Sequence, residues 1–213
     1  MSINKNSITY QVYNMLKEKI LKQELKIGEK INSRKIAEDN EISAMPVRDS
    51  LLKLTNEGLV INKPRVGFYV RDFTEEEIDN IIEVRKMYET YCLDNHFNNI
   101  DKNKAKNLKK KMDLIENDLN RKEFDKIDTE LHYTFIKASE NNFLIEKYDQ
   151  IKDLVILFQH IHLTRMEKSH QEHQKIVSNI LNGNKKKVIG LVKEHLLDVN
   201  EGIKKSLGKN QNK

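Results

Sequence analysis

Residues 43–67 read S-A-M-P-V-R-D-S-L-L-K-L-T-N-E-G-L-V-I-N-K-P-R-V-G and predict a helix followed by a basic hairpin. Ser43 suits the N-cap, where its hydroxyl can accept a hydrogen bond from a free amide, and Pro46 is tolerated in the first helical turn. One apolar stripe follows at i, i+4 and i+7, made of Val47, Leu51 and Leu54. Gly58 ends the helix, because glycine readily adopts the backbone that follows a helix C-terminus.

The chain after Gly58 predicts two short strands joined by a basic turn. Leu59-Val60-Ile61 and Phe68-Tyr69-Val70 are the apolar runs, and Lys63-Pro64-Arg65-Val66-Gly67 lies between them. A helix with a basic, small-residue N-terminal turn beside a basic hairpin is typical of a winged helix-turn-helix. In that fold the helix enters the major groove of DNA and the wing reaches the phosphate backbone.

Two further helices are predicted before this stretch. Apolar residues recur every four positions between residues 8 and 23 and indicate an amphipathic helix. A turn around Gly28 follows, and Asn32 or Ser33 can cap a second helix over residues 33–40. Three short helices and a hairpin therefore make a small domain that a shared apolar centre can hold together.

The charge of the chain is uneven, although its net value of +5 over 213 residues is modest. Residues 1–73, which form the predicted DNA-binding domain, contain 13 Lys and Arg against 9 Asp and Glu, whereas the remainder contains 25 against 24. Excess positive charge therefore lies in the segment predicted to meet phosphate. The longest apolar run, Leu154 to Phe158, is too short to span a bilayer, and the single cysteine suits a reducing compartment. We expect a cytoplasmic protein with no membrane segment.

Three segments of this domain resemble the DNA-binding domain of the GntR family of bacterial transcription regulators. They read L-K-I-G-E-K-I-N-S-R-K-I-A-E from residue 25, P-V-R-D-S-L-L-K-L-T-N-E-G-L-V from residue 46 and R-V-G-F-Y-V from residue 65. The resemblance covers residues 8–72 and implies that the protein binds double-stranded DNA. It implies a contact surface on the second helix, the third helix and the wing, made of Arg34, Ala44, Met45, Arg48, Lys63, Arg65 and Gly67.

Two positions depart from the pattern of the family. Ala44 stands where its members usually have an arginine that reads a guanine edge, so base reading is expected to depend on Arg34 and Met45. Glu41 stands where they usually have a turn glycine, which suggests a slightly different turn. The alternative for Arg34 and Arg48 is that they are ordinary surface arginines.

The rest of the chain predicts a mainly α fold with no further strands. Thr74 suits a helix N-cap and Glu77 completes a capping box with it, so a second domain is assigned to residues 74–207. Residues 208–213 are predicted to be a disordered tail. Apolar spacing predicts an antiparallel all-helical bundle of six helices, at residues 78–97, 102–121, 124–139, 143–162, 166–181 and 185–207.

Polar side chains interrupt the apolar faces of three of these helices. Asp128 and His132 lie one turn apart on the third helix of the bundle, His173 lies on the fifth and His195 on the sixth, each among inward-facing apolar residues. Buried ionisable groups are costly unless they are paired or bound to metal. One Asp and three His offer oxygen and nitrogen donors suited to a divalent transition metal such as Zn, Ni or Mn. The alternative is that each histidine is a hydrogen-bonded core residue.

Four segments of the bundle resemble the FCD ligand-sensing domain found in the FadR-like branch of the GntR family. They are V-R-K-M-Y-E-T from residue 84, D-T-E-L-H-Y-T-F-I from residue 128, E-H-Q-K-I-V-S-N-I-L-N-G-N from residue 172 and K-E-H-L from residue 193. The resemblance covers residues 75–205, and a six-helix bundle is similar to the shorter, VanR-type variant. It implies that a small carboxylate effector completes the coordination shell of a metal bound to Asp128, His132, His173 and His195.

Arg85 is the side chain expected to hold this effector, because a guanidinium can bind a carboxylate through two parallel hydrogen bonds. Its alternative is a surface ion pair with Glu89, one helical turn further along. His170 lies one turn before His173 and is the second choice as a metal ligand.

These expectations combine into a transcription regulator, not an enzyme, that acts as a homodimer on a pseudo-palindromic operator and responds to its effector. Two alternatives remain open. One is a metal-dependent, hydrolase-like enzyme fused to a DNA-binding module. It needs an acid or base beside the metal, but Glu130 and Glu172 are predicted to face away from the ligands. The other is a regulator whose C-terminal domain only dimerises.

Overall fold

A computed structural model describes residues 7–161 and 165–210, which form a mainly helical protein with one small sheet. The chain divides into two compact units, one that ends at Thr74 and one that begins at Glu75. The predicted fold class is confirmed: the first unit is a winged helix-turn-helix and the second is a helical bundle. None of the described helices combines the length and the apolar character that a membrane crossing requires.

The first unit contains three helices and three strands. In chain order they are α1 (Ile8–Leu21), β1 (Lys30–Ile31), α2 (Ser33–Asp39), α3 (Ala44–Asn56), β2 (Val60–Lys63) and β3 (Gly67–Val70). The strands form an antiparallel sheet in the order β1-β3-β2. The apolar stripes of α1 and α3 supply the core, where Leu16, Ile20, Leu51 and Leu54 are fully buried. Each such side chain contributes about 1.5–3 kcal/mol to the stability of the fold by leaving water. This burial holds α3 against α1.

The sequence predicts only a turn around Gly28, but the structure adds strand β1 directly after it. Gly28 has φ +75°, in the left-handed region that glycine enters without strain. Lys30 then lies opposite Tyr69 of β3, and Ile31 lies opposite Phe68. A two-residue strand is too short to carry an apolar alternation, so only its pairing partner reveals it.

The starts of α2 and α3 are capped differently. Asn32, one of the two predicted caps, accepts a hydrogen bond from the N–H of Lys35 (3.0 Å). Ser43 occupies the N-cap position of α3, but its side chain makes no capping hydrogen bond. A cap usually bonds the N–H of the second or third helical residue, and the third residue here is Pro46, which has none. Glu41, in the preceding turn, has φ +53° and so keeps a glycine-like backbone.

The second unit contains the six predicted α-helices and, among the described residues, one short 3-10 helix. In chain order they are α4 (Glu75–His96), the 3-10 helix (Phe97–Asn99), α5 (Lys102–Ile115), α6 (Arg121–Lys137), α7 (Asn142–Ile161), α8 (Met166–Leu181) and α9 (Lys185–Asn210). One apolar core joins α5, α6, α8 and α9, with Met112, Leu131, Phe135 and Ile176 fully buried in it. His162, the predicted end of α7, lies outside the described residues.

Several helix bounds differ from the prediction: α4 begins at Glu75 and α6 at Arg121, each three residues earlier than predicted, and the C-terminal ends of α5 and α9 also differ. Helix α5 ends at Ile115 instead of continuing to Arg121, because residues 116–120 are largely polar and Asn120 caps α6 by accepting from the N–H of Glu123 (3.0 Å). Helix α9 continues to Asn210, so residues 208–210 of the predicted tail are helical. A glycine costs a helix about 1 kcal/mol without necessarily ending it, which explains why Gly208 does not stop α9. Residues 211–213 lie outside the described part.

Candidate metal centre

Four buried side chains from three helices of the second unit meet at one point. Helix α6 provides Asp128 and His132, α8 provides His173 and α9 provides His195. One potential ligand atom from each residue lies within 4.8 Å of the other three. The four-residue spacing of Asp128 and His132 puts both on one face of α6, and the apolar residues beside them turn that face inward. The structure thus brings together the four residues that the sequence singles out.

Three histidine ε nitrogens and one carboxylate oxygen surround the centre of this cluster. Nε2 of His173 lies 3.4 Å from Oδ1 of Asp128 and 3.3 Å from Nε2 of His195. Nε2 of His132 lies 3.9 Å from the same carboxylate oxygen. Ligand atoms about 2.0–2.2 Å from a tetrahedral cation lie roughly 3.3–3.6 Å from one another. The cluster is therefore close to the size of a four-ligand metal site.

Two carboxylates outside the cluster hold two of these histidines. Oε2 of Glu89 lies 2.7 Å from Nδ1 of His132, and Oε2 of Glu172 lies 2.7 Å from Nδ1 of His195. An ionised carboxylate can only accept, so each histidine donates from Nδ1 and keeps a lone pair on Nε2. Metal-binding histidines in proteins are commonly oriented in this way.

His173 is held by ring stacking instead. Its imidazole lies on the ring of Phe124, with centroids 5.8 Å apart and planes 11° from parallel. A proton on Nε2 of His173 can satisfy His195, but the buried Nε2 of His132 has no hydrogen-bond partner within the described part of the chain. A buried acceptor without a donor is costly. With the proton of His173 moved to Nδ1, a cation at the centre would accept the lone pairs of all three ε nitrogens, so the residues present fit a divalent metal.

Burial and charge control protonation around the cluster. Burial alone would raise the pKa of Glu89, but the charge of Arg85 and the interaction with His132 outweigh it and lower that pKa to about 2. Burial and the neighbouring His195 lower the pKa of His173 well below its ordinary value of 6.5. Burial also lowers the pKa of His195, although the hydrogen bond with Glu172 opposes it. Both histidines are therefore neutral at pH 7, which is the form that binds a metal.

The metal-free protein is expected to lose stability as the pH falls below about 6.5, because His170, His173 and His195 then bind protons only after unfolding. The unfolded state, whose histidine pKa is about 6.5, binds more protons than the folded state in this window. The free energy of unfolding therefore decreases by up to about 1.4 kcal/mol per pH unit for each histidine. Urea denaturation in the presence of a chelator, repeated at several pH values, measures this slope.

Two variants separate this effect from general acid sensitivity. His173→Gln removes a histidine whose pKa is lowered in the folded protein. It is expected to reduce the slope of the unfolding free energy against pH by the contribution of about one proton. Gln171→Ala, at an exposed position of the same helix, removes no titratable group and should leave the slope as it is in the wild type. An unaltered slope in His173→Gln would contradict the prediction.

Arg85 lies beside the cluster and is fully buried. The predicted alternative, an ion pair with Glu89, does form (Nε to Oε1, 2.7 Å), but it lies in the interior and not on the surface. Nη1 of Arg85 is buried and has no hydrogen-bond partner among the described residues. A narrow cleft with a free volume of about 10 Å³ reaches Arg85 and the cluster, and it is lined by Arg85, Asp128, Thr129, His132, Tyr133, Tyr148, Lys152, Val155 and Ile156. The pair therefore leaves one guanidinium nitrogen available to a ligand.

A second cleft, with a free volume of about 30 Å³, also reaches Asp128. Its other lining residues are Arg121, Phe124, Arg165, Met166, Ser169 and Val199. Arg165 donates from Nη2 to both carboxylate oxygens of Glu172 (2.7 and 2.8 Å), the side chain that orients His195. The second cleft thus borders Arg165, which holds the carboxylate that orients the proposed ligand His195. The first cleft borders the buried Arg85.

Glu172 corrects one sequence expectation. Its place next to His173 on α8 predicts a side chain that faces away from the ligands, but Glu172 reaches His195 on the adjacent helix α9. Glu130 does point away from the cluster and pairs with Lys111. The spacing of residues along α8 describes one helix only, so it misses a partner supplied by a neighbouring helix.

His170, the second choice of ligand, lies outside the group of four. It is buried, and neither ring nitrogen has a hydrogen-bond partner within the described residues. Burial lowers the pKa of His170, against the charges of Glu116 and Asp113, which lie at the end of α5. This side chain therefore faces α5, away from the metal cluster.

The predicted DNA contacts on the helices of the first unit are exposed. Arg34 on α2 has a 90% exposed side chain and pairs with Glu38 one turn later (Nε to Oε1, 2.9 Å). On α3, Met45 is 73% exposed, and Ala44 and Arg48 are also exposed. An exposed surface ion pair contributes about 0–1 kcal/mol, so Arg34 can exchange Glu38 for a phosphate or base at little cost.

The wing presents the remaining predicted contacts. Strands β2 and β3 end where Lys63 lies opposite Gly67, and residues 64–66 connect them. Arg65 has φ +62° at the tip and is exposed. The amine of Lys63 lies 4.5 Å from the ring centroid of Tyr69, which can hold this cation near the wing surface.

Comparison with known protein families matches both units. Residues 8–70 match the family described as bacterial regulatory proteins, gntR family, and residues 80–198 match the FCD domain. YdhC of Bacillus subtilis (strain 168), named as an uncharacterized HTH-type transcriptional regulator, is 25% identical over 194 residues. The alignment covers 88% of this chain and 85% of YdhC.

Solved structures share the fold. A GntR transcriptional regulator from Rhodococcus sp. RHA1 has a TM-score of 0.79 at 18% identity, covering 92% of this chain and 96% of that one. The metal-free FCD domain of the regulator TM0439 has a TM-score of 0.62 at 34% identity, covering 65% of this chain and 99% of that one. Its Zn²⁺-bound form has a TM-score of 0.60 at 34% identity, covering 64% and 97%.

Both domains are those of transcription regulators, and these relatives are transcription regulators and not enzymes. The chain belongs to the GntR family of bacterial regulatory proteins and is a DNA-binding transcription regulator that carries an FCD domain.

Proposed function

We propose that the second unit binds a divalent metal through Asp128, His132, His173 and His195, and that a small carboxylate effector bound there changes the affinity for operator DNA. The observation that carries this proposal is the meeting of three ε nitrogens and one carboxylate, with Nε2 of His132 buried and unbonded among the described residues. The Zn²⁺-bound FCD domain of TM0439, at 34% identity, supports a transition metal such as Zn, Ni or Mn.

The first cleft suits a small acid beside the cluster. A divalent metal that accepts a fifth ligand beside the four protein groups would supply positive charge and a coordination position for an effector oxygen. Nη1 of Arg85 offers a hydrogen-bond donor to the second oxygen of the same carboxylate. Lys152, which pairs with Asp149 (Nζ to Oδ1, 2.9 Å), also lies on the wall of this cleft. These groups favour a carboxylate over a neutral ligand.

In the first unit, we assign the DNA contacts to α2, α3 and the wing, through Arg34, Ala44, Met45, Arg48, Lys63, Arg65 and Gly67. A homodimer would present two α3 helices to a pseudo-palindromic operator. Because linkage is reciprocal, an effector that weakens DNA binding must itself bind more weakly to the DNA-bound dimer by the same factor.

Arg85→Lys is expected to retain the metal but weaken effector binding about tenfold or more, because a lysine amine that stays beside Glu89 has no second nitrogen to replace Nη1 as a donor to the effector. The lysine keeps a positive charge near the buried carboxylate of Glu89, so the fold should survive. The probe is a panel of small mono- and dicarboxylic acids added to Zn²⁺-loaded protein in a thermal-shift titration. At least one acid is expected to stabilise the wild type and to stabilise Arg85→Lys only at higher concentration.

Arg121→Lys is the matched control, since Arg121 lies in the second cleft. It should bind the same acid with wild-type affinity, and the zinc content of all three proteins should be equal. If zinc is retained but no acid stabilises the wild type or changes its DNA affinity, the effector part of the proposal fails. The second unit would then serve dimerisation and metal binding alone.

A further inference from the structure

Glu89 connects the metal cluster with the effector cleft, although it is neither a proposed metal ligand nor a residue that lines the cleft. It lies on α4 and is fully buried. Its Oε1 accepts hydrogen bonds from Nε of Arg85 (2.7 Å) and from the hydroxyl of Tyr148 on α7 (3.0 Å). Its Oε2 lies 2.7 Å from Nδ1 of His132 on α6. One carboxylate therefore links the arginine that faces the effector cleft to a histidine of the metal cluster.

We propose that Glu89 is a positioning residue that selects the tautomer of His132 needed for metal binding. A carboxylate has no proton to donate, so the proton of the neutral imidazole must reside on Nδ1. Nε2 then presents a bare lone pair to the centre of the cluster. The other tautomer would place a hydrogen at that point and exclude the metal. This inference rests on the metal site proposed above.

The hydrogen bond from Arg85 to Oε1 of Glu89 also determines this tautomer. Nε of Arg85 can only donate, so the atom that faces it must be an acceptor. In Glu89→Gln the amide oxygen is therefore expected to remain with Arg85, and the amide NH₂ group must face His132. Nδ1 of His132 then has to accept, and its proton moves to Nε2. Glu89→Gln hardly changes the shape of the side chain and lies two contacts from the metal. It should nevertheless move the proton of His132 onto the nitrogen that would bind the metal.

Glu172 offers a natural comparison, because it holds His195 in the same way but in a looser setting. Its side chain is 19% exposed, against 0% for Glu89, and it lies beside Arg165, a residue of the second cleft. Water can reach the amide of Glu172→Gln and offer His195 an alternative partner. The effect of that substitution is expected to be smaller than the effect of Glu89→Gln.

The test begins with metal-free protein. Long-range proton–nitrogen spectra of the histidine rings, assigned with single His→Gln variants, are expected to show the Nδ1–H form of His132 in the wild type. Glu89→Gln should show the Nε2–H form. Tyr148→Phe, which removes one donor but leaves Nε of Arg85 in place, should keep the wild-type tautomer. A merely structural role of Glu89 would not produce this pattern.

Zn²⁺ affinity, measured by chelator competition, completes the test. Loss of an outer partner typically weakens metal binding about 10–100-fold, so Glu89→Gln should fall in the upper part of that range and Glu172→Gln in the lower part. The inference is overturned if the metal-free wild type carries the Nε2 proton on His132, a measurement that needs no variant to fold. It is also overturned if Glu89→Gln keeps the Nδ1–H form. If the wild type has the expected tautomer but binds no metal, the proposed function fails and the selection by Glu89 stands.

Discussion

Saturating Zn²⁺ is expected to raise the melting temperature of the metal-free protein by about 10 °C, and Asp128→Ala is expected to abolish that rise. A ligand that binds only the folded state contributes about 4 kcal/mol when its free concentration is roughly 1,000 times the dissociation constant. A domain of this size gains about 2–4 °C per kcal/mol. Asp128 contributes the carboxylate that faces His173 and His132, so its removal takes away both a ligand and the negative charge of the site.

The comparison is made by calorimetry with chelator and with Zn²⁺. Asp128→Ala should melt near the chelated wild type under both conditions, whereas Glu130→Ala, on the outer side of the same helix, should respond to Zn²⁺ as the wild type does. If the cluster were only a hydrogen-bonded core, Zn²⁺ would leave the wild type unchanged, and Asp128→Ala would lower the melting temperature equally with and without metal. That result would remove the metal from the proposal.

Arg48→Ala is expected to weaken binding to operator DNA by about 1–3 kcal/mol, which is roughly 5–150-fold. Arg48 lies on the exposed side of α3, near the N-terminal turn where Ala44 leaves the helix without a longer basic side chain. Its guanidinium is an exposed positive charge on α3, so its loss should weaken the contact with DNA. Fluorescence anisotropy with duplexes selected from a random library by the wild-type protein measures the change.

Lys110→Ala is the charge-matched control, because it removes one exposed positive charge from the second unit. It should bind the selected duplex as the wild type does. The salt dependence then identifies the kind of contact: loss of a phosphate contact reduces the slope of log K against log salt by about one and weakens all sequences alike. Loss of a base contact relaxes the preference for the selected sequence. Wild-type affinity in Arg48→Ala would remove Arg48 from the interface.

Local sequence patterns predict much of the fold. The apolar periodicity predicts the three N-terminal helices and the six helices of the bundle, since helical side chains point in directions that depend on the backbone alone. Errors occur where local signals are short or balanced. Strand β1 has two residues, and α5 stops at Ile115 because a polar stretch and the cap at Asn120 outweigh one further apolar residue, Leu119.

The amino-acid sequence by itself determined that Asp128, His132, His173 and His195 face inward, because each lies on the apolar stripe of its own helix. Only the tertiary structure decided which groups surround them. Glu89 reaches His132 from α4, and Glu172 reaches His195 across the α8–α9 contact. A hydrogen bond between helices depends on their relative rotation and height. The packing of the whole core sets those quantities, and no spacing along a single helix encodes them.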